Sequence, residues 1–312
     1  MPRRDSPTFA HRVEYSLLRA VVFLAGLLPL RLVLPAGAFL GWTAWTVFGV
    51  RKRIVLENLR QAFPEMSEKE RSRTGRDSYM NSGRFMMEFA RQERMGNDYV
   101  FRHVEVEDPR RLKVLKELDG ALLITGHYGN WELFGVACRY ILGDVSFLVG
   151  RQSNSLVDRY INRLRSIHGI ELYGRRTAVK GVLSSIRRGG YVCWLSDQDA
   201  GDSGLVVDFF GYPASTPRGA AAFSVKLGVP VVPAVLVRKG RGPDHTLVLG
   251  EPVYPDPDLA GEEAETHITR EYTSGLEEMI RDRPDLYWWA HRRWKSTGFY
   301  SRNRNGMIEG KR

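Results

Sequence analysis

Hydrophobic positions dominate the first part of the chain. Residues 17–50 read LLRAVVFLAGLLPLRLVLPAGAFLGWTAWTVFGV, and only Arg19 and Arg31 are charged. Residues 32–50 alone are 19 positions without a charge, close to the ~20 that carry a helix across a bilayer. Pro35, Gly37, Gly41 and Gly49 weaken a straight span, and Arg31 divides it from a shorter run, 20–30. A re-entrant or interfacial hairpin turning between Pro29 and Pro35 fits as well as one tilted helix. A buried helix pair is an alternative. A secretory signal is another, drawn from the basic start and Ala36-Gly37-Ala38, but the segment is too long and Arg31 interrupts it. Trp42 and Trp45 suit a membrane interface, and Arg51-Lys52-Arg53 suits its cytoplasmic side.

The periodicity then changes twice. Residues 51–100 carry a helical pattern that pauses at Pro64, and Ser67 with Glu70 is a capping box for the next helix. Beyond residue 120 come short apolar runs: ALLIT (121–125), VSFLV (145–149), YVCWLS (191–196), VPVVPAVLV (229–237) and HTLVLGEPV (245–253). Helical stretches alternate with them at 131–142, 155–167, 177–188, 218–227 and 262–282. This alternation predicts an α/β fold, a mostly parallel sheet flanked by helices, behind an N-terminal apolar membrane-associated helix or hairpin. Residues 1–53 are read as the anchor, 54–300 as one α/β domain, and 301–312 as a polar, disordered tail.

Charge sharpens the picture. The net charge is +10, yet residues 1–53 and 281–312 together carry +12 and the middle −2. Basic ends, one fused to an apolar segment, point to an anionic membrane rather than to nucleic acid. Trp288, Trp289 and Trp294 interleave with Arg292, Arg293 and Lys295, which predicts a second interfacial belt. Cys138 and Cys193, both in apolar runs, are expected to be small buried hydrophobes.

In parallel sheets the working groups gather at the carboxyl ends of strands. Those ends offer Gly126-His127, Gly150-Arg151 and Ser196-Asp197-Gln198. TGHYGNWE (125–132) is the sharpest of them. His127 falls on a turn and Glu132 in the first turn of a helix with Asn130 as N-cap. On one continuous helix a spacing of five would set the two about 140° apart. With His127 outside the helix, glycines 126 and 129 let the turn bring imidazole and carboxylate together. Such a pair is a general base. No Ser or Cys stands in a nucleophile-elbow pattern, so a substrate hydroxyl is expected to attack an activated acyl donor, such as a thioester, directly. No Cys/His cluster or H-E-x-x-H pattern supports a metal.

HYGNWE resembles the His-x4-Glu signature of the lipid A biosynthesis (lauroyl/myristoyl) acyltransferase family, within the lysophospholipid acyltransferase group. NLRQAFPEMSEKER (58–71), GRQSN (150–154), the stretch 195–238 from LSDQDAG onward and PDLYWWAHRRWK (284–295) resemble its other blocks in order. The resemblance implies His127 as base with Glu132 as partner and an acyl-acyl carrier protein donor, with acyl-coenzyme A left open. It also implies a Kdo-lipid A precursor as acceptor, with a lysophospholipid or other glycolipid as the alternative. It implies an inner-membrane location with the catalytic domain on the cytoplasmic side, and no cofactor. Substrate contacts are expected from Arg151 on a phosphate, Asn154 beside it, and Asp197 and Gln198 on the acceptor sugar. Phe209 and Phe210 are expected on the acyl channel, and Arg218 at a helix N-terminus that could hold an anion. A thioesterase and a non-catalytic lipid- or carrier-binding module are the rivals.

Overall fold

The computed structural model describes residues 7–174 and 176–301. The chain opens with four helices: α1 (Phe9–Leu27), α2 (Leu30–Thr46), α3 (Lys52–Ala62) and α4 (Glu68–Phe89). Next come α5 (Asn97–His103), β1 (Val104–Val106), α6 (Pro109–Lys116), β2 (Ala121–Thr125), α7 (Trp131–Leu142), β3 (Val145–Val149) and α8 (Ser155–Ser166). β4 (Glu171–Gly174), α9 (Ala178–Arg187), β5 (Tyr191–Leu195), β6 (Leu205–Phe209) and β7 (Tyr212–Thr216) follow. The chain continues with α10 (Gly219–Leu227), β8 (Val231–Arg238), β9 (His245–Leu249) and α11 (Gly261–Asp282).

Seven strands form one sheet in the order β1-β9-β8-β2-β5-β3-β4. β8, β2, β5, β3 and β4 run parallel, and β9 pairs antiparallel with β8. β6 and β7 form a separate antiparallel hairpin, which the sequence pattern missed along with β1 and β4. Side chains of the central strand alternate between two cores, as a two-residue period requires. Leu122 and Ile124 face α9, α10 and α11. Ala121 and Leu123 face α6 and α7. Cys138 and Cys193 are fully buried in the second core, as their apolar context predicts. Ser67 and Glu70 close the expected capping box on α4.

The expected N-terminal hairpin is an open one: α1 and α2 part at Leu28 and Pro29, one step ahead of the predicted turn, and each packs on another element rather than on its fellow. Among the described residues no helix is long and apolar enough to cross a membrane. α1 rests on α8 and α2 on α4. Gly37 and Gly41, one turn apart, let α2 press directly on the α4 backbone. A Cβ at Gly41 would meet the Tyr79 carbonyl oxygen at 2.0 Å, and one at Gly83 would meet that of Gly37 at 2.0 Å. The outer surface stays apolar: Phe9, Leu17, Phe23, Leu27, Phe39 and Phe48 are each more than half exposed. The expected polar tail, from residue 302 onward, lies outside the described residues.

Because this contact is backbone on backbone, a methyl group has nowhere to go. Gly83→Ala is expected to destabilise the protein by about 1–3 kcal/mol, seen as a lower melting temperature in detergent. Gly242→Ala, whose Cβ would meet nothing within 4 Å, is expected to melt with the wild type. Equal melting of both variants would show that the hairpin is not packed this way.

Candidate active site

β2 and β5 are parallel neighbours, with Thr125 opposite Leu195. Two residues further along each strand, His127 and Asp197 therefore leave the sheet side by side. Asp197 holds His127 twice. Its Oδ2 accepts from the His127 backbone N–H at 2.7 Å, and its Oδ1 lies 2.8 Å from Nδ1. A carboxylate there makes Nδ1 the protonated nitrogen and leaves the Nε2 lone pair for chemistry. Gln198 Nε2 sits 3.2 Å from that Nε2.

The carboxylate on His127 is thus Asp197, and the expected pairing with Glu132 does not form. Glu132, at the start of α7, takes a two-pronged contact from Arg165 of α8, with Nε at 2.8 Å and Nη2 at 2.5 Å. The reason lies in the loop. His127 is tied by its own backbone to Asp197, while Glu132 turns toward α8. The sequence had singled out Asp197, but as a contact for the acceptor sugar.

Burial is the largest influence on the ring and works against its charge. Asp197, by charge and hydrogen bond and with help from Glu132, outweighs it and raises the His127 pKa above the ordinary 6.5. Burial likewise opposes the Asp197 carboxylate. The His127 ring and backbone N–H, with Arg293 behind, more than compensate and lower its pKa.

The turn carrying His127 is clamped from three sides. Trp288 N–H donates to the His127 carbonyl at 2.9 Å, and Gly129 N–H donates to Leu286 at 3.0 Å. Gly129 has φ +61°, and a Cβ there would meet the Leu236 carbonyl oxygen at 2.0 Å. No other residue fits that position without strain. Asn130 caps α7 as expected, accepting from the Leu133 N–H at 3.0 Å. Its Nδ2 donates to the fully buried Glu88 at 2.7 Å, and Arg238 neutralises Glu88 with a two-pronged pair.

The C-terminal Trp/Arg segment forms one of these clamps and is not the predicted membrane belt. Trp289 and Trp294 are fully buried, and Trp288 packs on Tyr79 with the rings tilted and their centres 5.4 Å apart. Arg293 is buried, donating to the Ser215 carbonyl and the Thr216 hydroxyl. Only Arg292 and Lys295 of the set are exposed. Asn58 ties the segment to α3, donating 2.7 Å bonds to the carbonyls of Trp289 and His291. Trp45 is buried too, under Lys52 at 5.0 Å, whereas Trp42 is partly exposed and stacks on Phe39.

A cavity of about 570 Å³ opens at His127. Trp131, Phe147, Leu148, Tyr173 and Trp194 give it apolar walls, and Glu132, Arg165 and Gln198 its polar ones. None of its described lining residues is Ser, Thr or Cys. Arg165 was not foreseen from the sequence; its only signal was a basic residue on an otherwise amphipathic helix. Arg151 is exposed and does not line this cavity, although its neighbours Gly150 and Gln152 do. Asn154 caps α8 and donates to His11 and Glu14 of α1, so it fastens the hairpin. Phe209 and Phe210 are packed in the core. Arg218 is paired on the surface with Glu262 and Glu265.

An α/β sheet that presents a His–carboxylate pair at a cavity with largely apolar walls suits acyl transfer. A profile of the family described as bacterial lipid A biosynthesis acyltransferase matches residues 3–296, and the chain belongs to that family. It is an O-acyltransferase. The lipid A biosynthesis lauroyltransferase of Escherichia coli K12 is 28% identical over 282 residues, covering 88% of this chain and 89% of that one. The lipid A biosynthesis myristoyltransferase of the same strain is 25% identical over 90% of this chain and 87% of that one. A phosphatidylinositol mannoside acyltransferase of Mycobacterium tuberculosis CDC 1551 is 30% identical over 128 residues, 39% of this chain and 40% of that one.

The pair makes a signed prediction. If neutral His127 is the working form, kcat/KM rises with pH through a pKa above 6.5. Asp197→Asn is expected to lower turnover by about 10²–10⁴-fold and to move that acid limb to lower pH. Glu132→Gln is expected to move it less. A limb that stays in place in Asp197→Asn would dissociate the carboxylate from the base.

Proposed function

We propose that this enzyme transfers a fatty acyl group from the thioester of acyl carrier protein to a hydroxyl of a Kdo-lipid A precursor. The observation that carries the mechanism is a histidine whose Nε2, met only by the Gln198 amide, faces a largely apolar-walled cavity with no Ser, Thr or Cys among the described lining residues. The acceptor hydroxyl takes the place of the Gln198 amide at Nε2. His127 removes its proton as the oxygen attacks the thioester carbonyl, and Asp197 stabilises the imidazolium. Collapse of the tetrahedral intermediate breaks the carbon–sulfur bond, and the departing thiolate takes the proton from Nε2. The apolar walls hold the acyl chain and exclude water, which separates transfer from thioester hydrolysis. Arg165, held by Glu132, supplies fixed positive charge in the same cavity.

The exposed apolar face of α1 and α2 lies in the membrane interface. Arg51-Lys52-Arg53 sets the catalytic domain on the cytoplasmic side of the inner membrane. No cofactor takes part. The acceptor follows the full-length similarity to lipid A lauroyl- and myristoyltransferases. The local similarity to a phosphatidylinositol mannoside acyltransferase supports a second reading, in which another glycolipid is acylated.

Purified enzyme with acyl-acyl carrier protein and a Kdo-lipid A precursor is expected to yield an acceptor heavier by one acyl group in mass spectrometry. His127→Ala is expected to cut that yield by about 10²-fold or more. Near wild-type turnover of His127→Ala would sink the mechanism. Free fatty acid as the product, unchanged by acceptor, would mark a thioesterase. Acylation of a mannoside in place of the lipid A precursor would move the enzyme to the second reading.

A further inference from the structure

Away from the catalytic cavity, a crevice of about 330 Å³ opens where the end of α1 meets α8 and the turn after α4. Four guanidinium groups line it, Arg19, Arg91, Arg94 and Arg163, against one carboxylate, Glu93. Two of the four are engaged with the protein. Arg91 donates to the Ala25 and Leu28 carbonyls at the end of α1. Arg19 donates to the Tyr15 hydroxyl at 3.1 Å and lies over the Tyr160 ring at 5.1 Å. Arg94 and Arg163 are exposed, and Arg94 lies against the helix end, 4.0 Å from where a Gly26 Cβ would stand. Like charges gathered this way repel until an anion joins them. Burial, with Arg94 beside it, already lowers the Arg91 pKa.

The remaining wall is apolar and comes from α1: Val22, Phe23 and Leu27. Phe23 and Leu27 continue onto the exposed face of the hairpin. A basic hollow that opens onto an apolar helix fits an anion carrying hydrocarbon better than a free one. We propose that this crevice binds the phosphate of an anionic lipid headgroup while its acyl chains lie along α1. The proposal rests on the interfacial reading of the hairpin. It also connects the membrane to catalysis, since α8 presents Tyr160 and Arg163 to the crevice and Arg165 to the catalytic cavity.

Flotation of full-length protein tests it, with vesicles of phosphatidylcholine alone or mixed with phosphatidylglycerol. Arg94→Ala/Arg163→Ala is expected to bind the anionic vesicles about 30-fold more weakly than wild type and the neutral ones equally well. Lys113→Ala/Lys116→Ala on α6 removes the same charge elsewhere and is expected to lose little. Equal loss in both variants, or none in the first, overturns the crevice while leaving the hairpin reading intact. A wild type that floats on neither vesicle overturns the hairpin reading itself. Glycerol phosphate at constant ionic strength separates the sources. Release to the level of the double variant at glycerol phosphate concentrations equal to those of the anionic lipid would show that the phosphate alone accounts for binding and overturn the lipid, whereas release only at large excess supports it.

Discussion

The site depends on one carboxylate doing two jobs. Asp197 grips the His127 backbone N–H with one oxygen and the ring Nδ1 with the other. The first contact fixes where the residue leaves the sheet; the second fixes the tautomer and hence which nitrogen faces the cavity. Burying that carboxylate without partners would cost several kcal/mol. It is tolerable because the imidazole, the backbone N–H and the Arg293 charge surround it. Fold stability and basicity of His127 are therefore coupled through the same hydrogen bonds.

That coupling explains the investment in the turn between β2 and α7. Its backbone groups bond to the 284–294 segment and to β8, and its cap bonds to a neutralised buried glutamate on α4. A loop held this way on a rigid scaffold keeps the His127 imidazole in one place to within a few tenths of an ångström. The segments spread along the chain at 58–71, 125–132, 195–201 and 284–295 meet here. Asn58 holds the carbonyls of Trp289 and His291, and Trp288 holds His127. Residues that look like a membrane belt in the sequence are thus the rear wall of the turn that carries His127.

The hairpin solves a different problem. Helices of this composition need a partner on one face and leave the other apolar. Glycines 37, 41 and 83 allow α2 and α4 to meet backbone to backbone, and Asn154 pins α1 to the cap of α8. The same α8 supplies Arg165 to the cavity, so the exposed apolar helix and the cavity beside His127 share one rigid rod.

Much was legible from local pattern alone. Short apolar, β-branched runs located the central strands, Ser67 and Asn130 announced their helices, and the polar groups at strand ends marked the crevice. Those signals act between residues close in sequence, where backbone geometry fixes the period. The partner of His127 was not of that kind. His-x4-Glu spacing favours Glu132, yet the register of β2 on β5 brings Asp197, seventy residues away, to the imidazole. Composition equally could not divide Trp42, on the surface, from Trp45, Trp289 and Trp294 in the core, because an indole suits both environments. The sequence by itself located the central strands, the helices between them and the turn that carries His127. Only the tertiary structure decided which carboxylate holds that histidine and which aromatic rings face solvent, since both depend on strand register and packing summed over the whole fold.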